Sequence, residues 1–172
     1  MNGYIYKTDG NLCFQVYTGY VLSFDNAQYM CNYLTGGAGG LATLSTSKKF
    51  KVAQHYLRDE FPEGTFFWVG SEQWQSRDNY AYYWFFVFYY YFNYNYWADS
   101  HKVDKHVWAP GQPDKGSERC NAITRNENLQ LMDSSCGNKF DYICDIPCWK
   151  STDLRYVTVI MYITANPTCA SK

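Results

Sequence analysis

The chain has no surplus of either charge, no apolar run long enough to span a bilayer and no internal repeat. Lys and Arg total 15 against 16 Asp and Glu, so the basic footprint that a phosphate backbone demands is missing, which argues against nucleic acid as a partner. No h-region of a secretory signal opens the chain; its first twelve residues, MNGYIYKTDGNL, are polar and turn-rich, as expected of a mature or recombinant form. No Asn-x-Ser/Thr acceptor is present, because Asn166 is followed by Pro167. The cysteines lack the paired C-x-x-C arithmetic of a zinc ribbon or a thioredoxin-like redox centre. No Ser or Cys sits in a recognisable pattern with a base and an orienting partner, so no enzyme is expected.

What the chain has in excess is aromatic rings: 18 Tyr, 11 Phe and 6 Trp make 20% of the residues, against 18% charged. That balance rules out a disordered, solvating chain. With 172 residues there is enough length for one domain with extensions and a core of its own. Seven cysteines, at 13, 31, 120, 136, 144, 148 and 169, read as disulfides formed in an oxidising compartment, so a secreted, extracellular protein is expected. Their odd number leaves at least one thiol free, bound to another chain, or with a partner outside this sequence.

Hydrophobic periodicity predicts two helices. In the first, Ser23 caps a segment whose Phe24, Ala27, Met30, Cys31 and Leu34 fall on one stripe, with Gly36 and Gly37 as the stop. After a strand-like stretch from Leu41 to Leu44, Ser45 or Thr46 opens a second helix that turns Phe50, Ala53 and Leu57 inward, and Pro62 and Gly64 close it. From residue 65 the pattern changes to short strands and long loops, with strands at Phe66 to Gly70, Asn121 to Thr124 and Phe140 to Cys144. Helix, helix, then strands implies an α+β fold, two helices packed on a mainly antiparallel sheet. Beyond Pro147, Arg155 to Ile163 reads as one further strand, too short and polar to cross a membrane.

Five motifs stand in order behind the two helices: Trp68-Val69-Gly70, Trp108-Ala109-Pro110-Gly111-Gln112-Pro113-Asp114, Glu118-Arg119-Cys120, Asp133-Ser134-Ser135-Cys136 and Tyr142-Ile143-Cys144. Together they resemble the C-type lectin domain from about Cys13 to Pro147. The resemblance implies a disulfide-stabilised C-type lectin-like fold with a long loop region, occupying residues 1–147 with an aromatic-rich insert at 80–97, and followed by an extension at 148–172. It also implies that Cys31 pairs with Cys144 and Cys120 with Cys136. Trp68 and Trp108 read as core anchors beneath irregular loops rather than as ligand platforms.

Gln112, Asp114, Glu118 and Asp133 are the candidate metal-ligating and sugar-binding residues. Calcium takes six to eight oxygens from carboxylates, amides, carbonyls and water, and a proline-bent loop can converge such groups. In the resembling family that calcium also coordinates two vicinal sugar hydroxyls, and the Gln-Pro-Asp order is similar to members that prefer galactose or N-acetylgalactosamine. Three departures stand against that pattern: the first two leave a single calcium, weakly held or lost, and the third removes a stacking surface for the sugar. Met132 stands where the family has an amide, and a thioether is a soft ligand; Lys115 places a positive charge beside Asp114; and no Trp lies between Asp114 and Cys120. His101 and His106, near Asp99 and Asp104, match no metal-ligand spacing and read as a solvated loop.

Two readings of function follow. The first is a secreted, calcium-dependent lectin for galactose-type glycans. The second is a structural or interaction protein with weak or no sugar binding, assembling with a protein partner or with itself. The segment from Tyr80 to Trp97, 14 aromatics in 18 positions without a charge, supports the second as an exposed contact face. A homo-oligomer is expected, with the insert or the tail at the contact. If Cys13 bridges Cys148, Cys169 is left for another chain; if Cys148 bridges Cys169, Cys13 stays available.

Overall fold

The computed structural model describes residues 2–7, 13–61, 65–76, 92–114, 117–125 and 128–146. The sequence motif residues Pro62, Gly64 and Lys115, the insert from Tyr80 to residue 91, and the tail with Cys148, Cys169 and the strand expected at Arg155 to Ile163 all lie outside them. In chain order the elements are β1 (Asn2–Lys7), β2 (Cys13–Leu22), α1 (Phe24–Leu34), α2 (Ser47–Glu60), β3 (Phe66–Ser76), β4 (Phe92–Trp97), β5 (Cys120–Thr124), β6 (Gln130–Ser134) and β7 (Phe140–Asp145), with a 3-10 turn at Lys105–Val107. One seven-stranded sheet runs β1-β2-β7-β3-β5-β6, with β4 paired to β3. Among the described residues all pairings between these strands are antiparallel except β3 with β7, which is parallel. The fold is thus the expected α+β one, two helices on a mainly antiparallel sheet with disulfide bridges.

Two strands precede the helices, which corrects the expected order. The opening residues read as polar and turn-rich, yet Tyr4, Ile5 and Tyr6 are good strand formers, and pairing of Asn2–Lys7 with Cys13–Thr18 outweighs their polar neighbours. β3 also runs past Gly70 to Ser76, because β4 supplies a partner for every residue from Ser71 onward. The stretch from Leu41 to Leu44 is not a strand. Leu41 makes a single bridge to Cys144, and the chain then crosses β3, where Gly70 N donates to Ala42 O at 2.9 Å. A Cβ on Gly70 would collide with the Leu41 carbonyl, so the glycine of Trp68-Val69-Gly70 permits a close backbone approach.

Strand side chains alternate between faces, and two cores follow. One face gathers Phe14, Val16, Phe67, Val69, Ile123, Leu131 and Ile143 against Phe50, Ala53 and Leu57 of α2. The other gathers Tyr17, Trp68, Ala122, Tyr142 and Cys144 against Phe24, Ala27 and Cys31 of α1. The helix N-termini differ in what holds them. Thr46 accepts from Lys49 N at the start of α2, whereas Ser23 makes no side-chain cap, and Phe24 N instead donates to Cys136 O at 3.0 Å. Gly36 and Gly37, both at positive φ, end α1 as expected.

Cys31 is joined to Cys144 and Cys120 to Cys136, the pairing that the resemblance implies. Cys13 is disulfide-bonded too, with a partner outside the described residues, so the arrangement that leaves it available does not hold.

Beside Cys144, Asp145 accepts from Thr43 N at 2.8 Å through Oδ2, while its Oδ1 is buried without a partner among the described residues. Burial pushes its pKa up to about 6, a shift that Lys49 partly offsets and Asp99 reinforces. The folded chain therefore binds a proton more readily than the unfolded one, whose carboxyl titrates near 3.8. Between those values stability falls as pH rises, and the ionised carboxylate is a burden above pH 6. Acidification from pH 7 to pH 5 is expected to return roughly 1 kcal/mol at this group. Denaturation curves at the two pH values should show the gain in the native chain and its loss in Asp145→Asn; an identical pH response in both would overturn the assignment.

Candidate functional site

The site is built where the loop 108–114 runs along the outer edge of β6. Trp108 bridges Leu131 in a parallel sense, Ala109 N donates to Leu131 O at 2.8 Å, and Gln130 Nε2 donates to Trp108 O at 3.0 Å. Gln112 N then donates to Ala109 O at 2.9 Å and turns the chain at Gly111, whose φ is +83°. The Gln112–Pro113 peptide bond is cis. Only after these bonds does the loop reach Asp133.

There the contacts become reciprocal. Asp133 N donates to Gln112 Oε1 at 3.3 Å, and Asp114 N donates to Asp133 Oδ1 at 3.2 Å. Asp133 is buried, at 2% exposure, and so enters the site as a fixed group. Glu118 comes from the segment leading into β5, two residues before Cys120, whose disulfide to Cys136 closes the base of the loop. One carboxylate oxygen each from Asp114, Glu118 and Asp133 lies within 4.8 Å of the others.

Three of the four residues singled out in the sequence are therefore brought together as carboxylates, and Gln112 lies on the same strand edge with its amide oxygen engaged by Asp133 N. Three like charges at this spacing repel one another, and a hard divalent cation offsets that repulsion while accepting oxygen ligands. The donor set fits calcium in kind: all oxygen, carboxylate-rich and open to solvent at Asp114. Met132 faces elsewhere. Its side chain packs against the core on the α1 side, as the alternation of a strand requires for the neighbour of Asp133. Trp68 is fully buried and Trp108 partly buried against the core, as their anchoring role expects. His101 is an exposed side chain 3.1 Å from Asp99 and stands apart from the carboxylate group.

The residue that sequence reasoning missed is Asn121. It is fully buried, stands opposite Asp133 in the β5–β6 register, and donates through Nδ2 to Ser71 Oγ at 3.0 Å and Asn95 Oδ1 at 2.9 Å. It ties β3, β4 and β5 together behind the site. The strand Cys120–Thr124 is buried along its whole length, and Asn121 is the amide within it. The end of the aromatic insert is likewise structural: Trp97 is 2% exposed and belongs to the α2-side core, so the exposed face expected for 80–97 does not extend to it.

A family model for the Lectin C-type domain matches residues 20–146. Among solved structures, the C-type lectin domain of murine dendritic cell inhibitory receptor 2, crystallised in complex with N-glycan, is 14% identical with a TM-score of 0.61 and covers 82% of this chain and 94% of its own. C-type lectin CEL-I from Cucumaria echinata is 18% identical with a TM-score of 0.59, covering 81% and 92%. Ovocleidin-17, a protein of the Gallus gallus eggshell calcified layer, is 15% identical with a TM-score of 0.60, covering 84% and 96%. These likenesses are of fold. No curated protein sequence matches the chain.

Proposed function

Because the chain belongs to the C-type lectin domain family, we propose that it acts by binding rather than catalysis, as a calcium-dependent lectin for galactose-type glycans. The observation that supports this reading is the convergence of Asp114, Glu118 and Asp133 within 4.8 Å, on a loop clamped to β6 by reciprocal bonds. These three carboxylates would hold one calcium, with Gln112 as the amide of the set. Bound calcium supplies coordination positions for vicinal sugar hydroxyls. The chain's own part is to accept hydrogen bonds from those hydroxyls at ionised carboxylate oxygens and to donate one from the Gln112 amide. Buried Asp133 keeps the acceptors in place, so little ordering cost falls on binding. Five disulfide-bonded cysteines among the described residues, Cys13, Cys31, Cys120, Cys136 and Cys144, suit an extracellular setting. No helix among the described residues is long and apolar enough to cross a membrane.

The test is a glycan array run with calcium and again with chelator, followed by calorimetry with N-acetylgalactosamine. Galactose-type binding should vanish with chelator and fall at least tenfold in Asp114→Asn, an exposed position whose replacement leaves the calcium-free melting temperature unchanged. Calorimetry of the metal alone should show one site. Sugar binding that survives chelator, or two tight calcium sites, would overturn the reading. Met132 favours the second one, an interaction protein that self-assembles with weak or no sugar binding, because it offers no oxygen and packs into the core; a blank array together with a mass above one chain would establish it.

A further inference from the structure

The two outer edges of the main sheet are treated differently. The β6 edge is covered by the loop 108–114, whose backbone bonds to Leu131 occupy it. At the other end β1 pairs, among the described residues, with β2 alone. Its sequence, Asn-Gly-Tyr-Ile-Tyr-Lys, has one charge and no proline to blunt the row of backbone donors and acceptors, and such an edge recruits another strand.

The exit of the chain points to what occupies it. Lys7 at the end of β1, Cys13 at the start of β2 and Asp145 at the end of β7 stand together at one end of the sheet, since Lys7 pairs with Cys13 and Phe14 with Asp145. Ile146 N donates to Cys13 O at 3.0 Å, so the chain leaves β7 there. A strand placed outside β1 lies about 14 Å from β7, three strand spacings away. Residues 147–154, eight in number, span up to about 26 Å when extended. A chain that crosses beneath β2 and β1 and then turns back along the sheet runs antiparallel to β1. The next residues are Arg155-Tyr156-Val157-Thr158-Val159-Ile160-Met161-Tyr162-Ile163, uncharged after Arg155 and dominated by β-branched and aromatic residues.

We infer that residues 155–163 of the same chain add to β1 as an antiparallel edge strand and complete the sheet opposite the candidate calcium loop. Direction, reach and composition agree, and each is independent of the sugar-binding reading.

Hydrogen exchange on the full chain tests this. Every second amide of Asn2–Lys7 faces away from β2 and should be protected in the native chain. The same amides should exchange at least tenfold faster in Val159→Pro, which removes a donor and interrupts the strand. A synthetic peptide of residues 153–165 added to that variant should restore protection, and the amides of β3 and β5 report that the fold is intact. Outward β1 amides that exchange freely in the native chain overturn the inference, whether or not the variant folds. So does protection that weakens on dilution while light scattering shows a dimer, because the strand then comes from a second copy.

Discussion

Trp68→Ala is expected to cost about 3–5 kcal/mol of folding stability, the range for removing a large aromatic from a core, and to lower the melting temperature by roughly 10 °C or more in a domain of this size. Trp68 is fully buried. Its ring meets Phe24 edge-on with centroids 5.5 Å apart and lies 4.6 Å from Phe140, so it joins α1 to β7 across the middle of the sheet. Its backbone pairs with Ala122 on one side and Tyr142 on the other, which places the ring within the cluster that contains Cys31, Cys120 and Cys144. Nε1 also donates to Leu22 O at 2.8 Å, and truncation leaves that carbonyl without its partner, a further contribution already felt in the upper half of the range. Trp68→Phe keeps an aromatic ring and loses the donor with part of the ring volume, so its cost should be less than half as large. Urea denaturation of both variants checks the order. A loss below about 1 kcal/mol for alanine would show that the loops, rather than this ring, hold the sheet to α1.

The two helices were legible because their stripes are complete. Phe24, Ala27 and Cys31 of α1 and Phe50, Ala53 and Leu57 of α2 are the residues the structure buries, and a helix carries its own period in a single stretch of sequence. Strands carry less information, since a strand's existence depends on a partner far along the chain. For that reason Asn2–Lys7 has the composition of a polar leader and is a strand only through its pairing with Cys13–Thr18, and β3 continues past Gly70 to Ser76 only because β4 pairs with it. The short apolar run at Leu41 to Leu44 erred the other way: its composition suits a strand, but it crosses β3 and bonds to Gly70 and Ile143 instead of joining a ladder.

The candidate site was legible as a set of residue types and not as a geometry. Spacing alone gives no reason for Asp114, Glu118 and Asp133 to meet; the parallel run of the loop along β6 brings the first to the third, and the Cys120–Cys136 bridge brings the second. The direction of Met132 was hidden because register decides which face a strand residue takes. Asn121 was overlooked since an amide in a strand has no signature until its partners, Ser71 and Asn95, are known.

Removal of the Cys31–Cys144 bridge is expected to lower stability by about 5 kcal/mol, and removal of Cys120–Cys136 by about 3 kcal/mol, from the loss of loop-closure constraint on the unfolded chain. The difference arises from sequence separation, 113 residues for the first and 16 for the second. Packing adds to the first, because Cys31 and Cys144 are both fully buried between α1 and β7, and alanine at the two positions leaves their sulfur volume unfilled. Function should follow the opposite order. The longer bridge lies in the core beneath α1, whereas the shorter one closes the loop that carries Asp133 and is anchored two residues after Glu118. The double variant Cys120→Ala with Cys136→Ala should therefore lose calcium affinity by a larger factor than Cys31→Ala with Cys144→Ala, when both are compared below their unfolding transitions. Urea titrations under oxidising conditions give the first ranking and calcium calorimetry the second. If the shorter bridge proved the larger contributor to stability, residual structure in the unfolded chain would outweigh loop length, and the division between a bridge that holds the fold and a bridge that holds the site would fail.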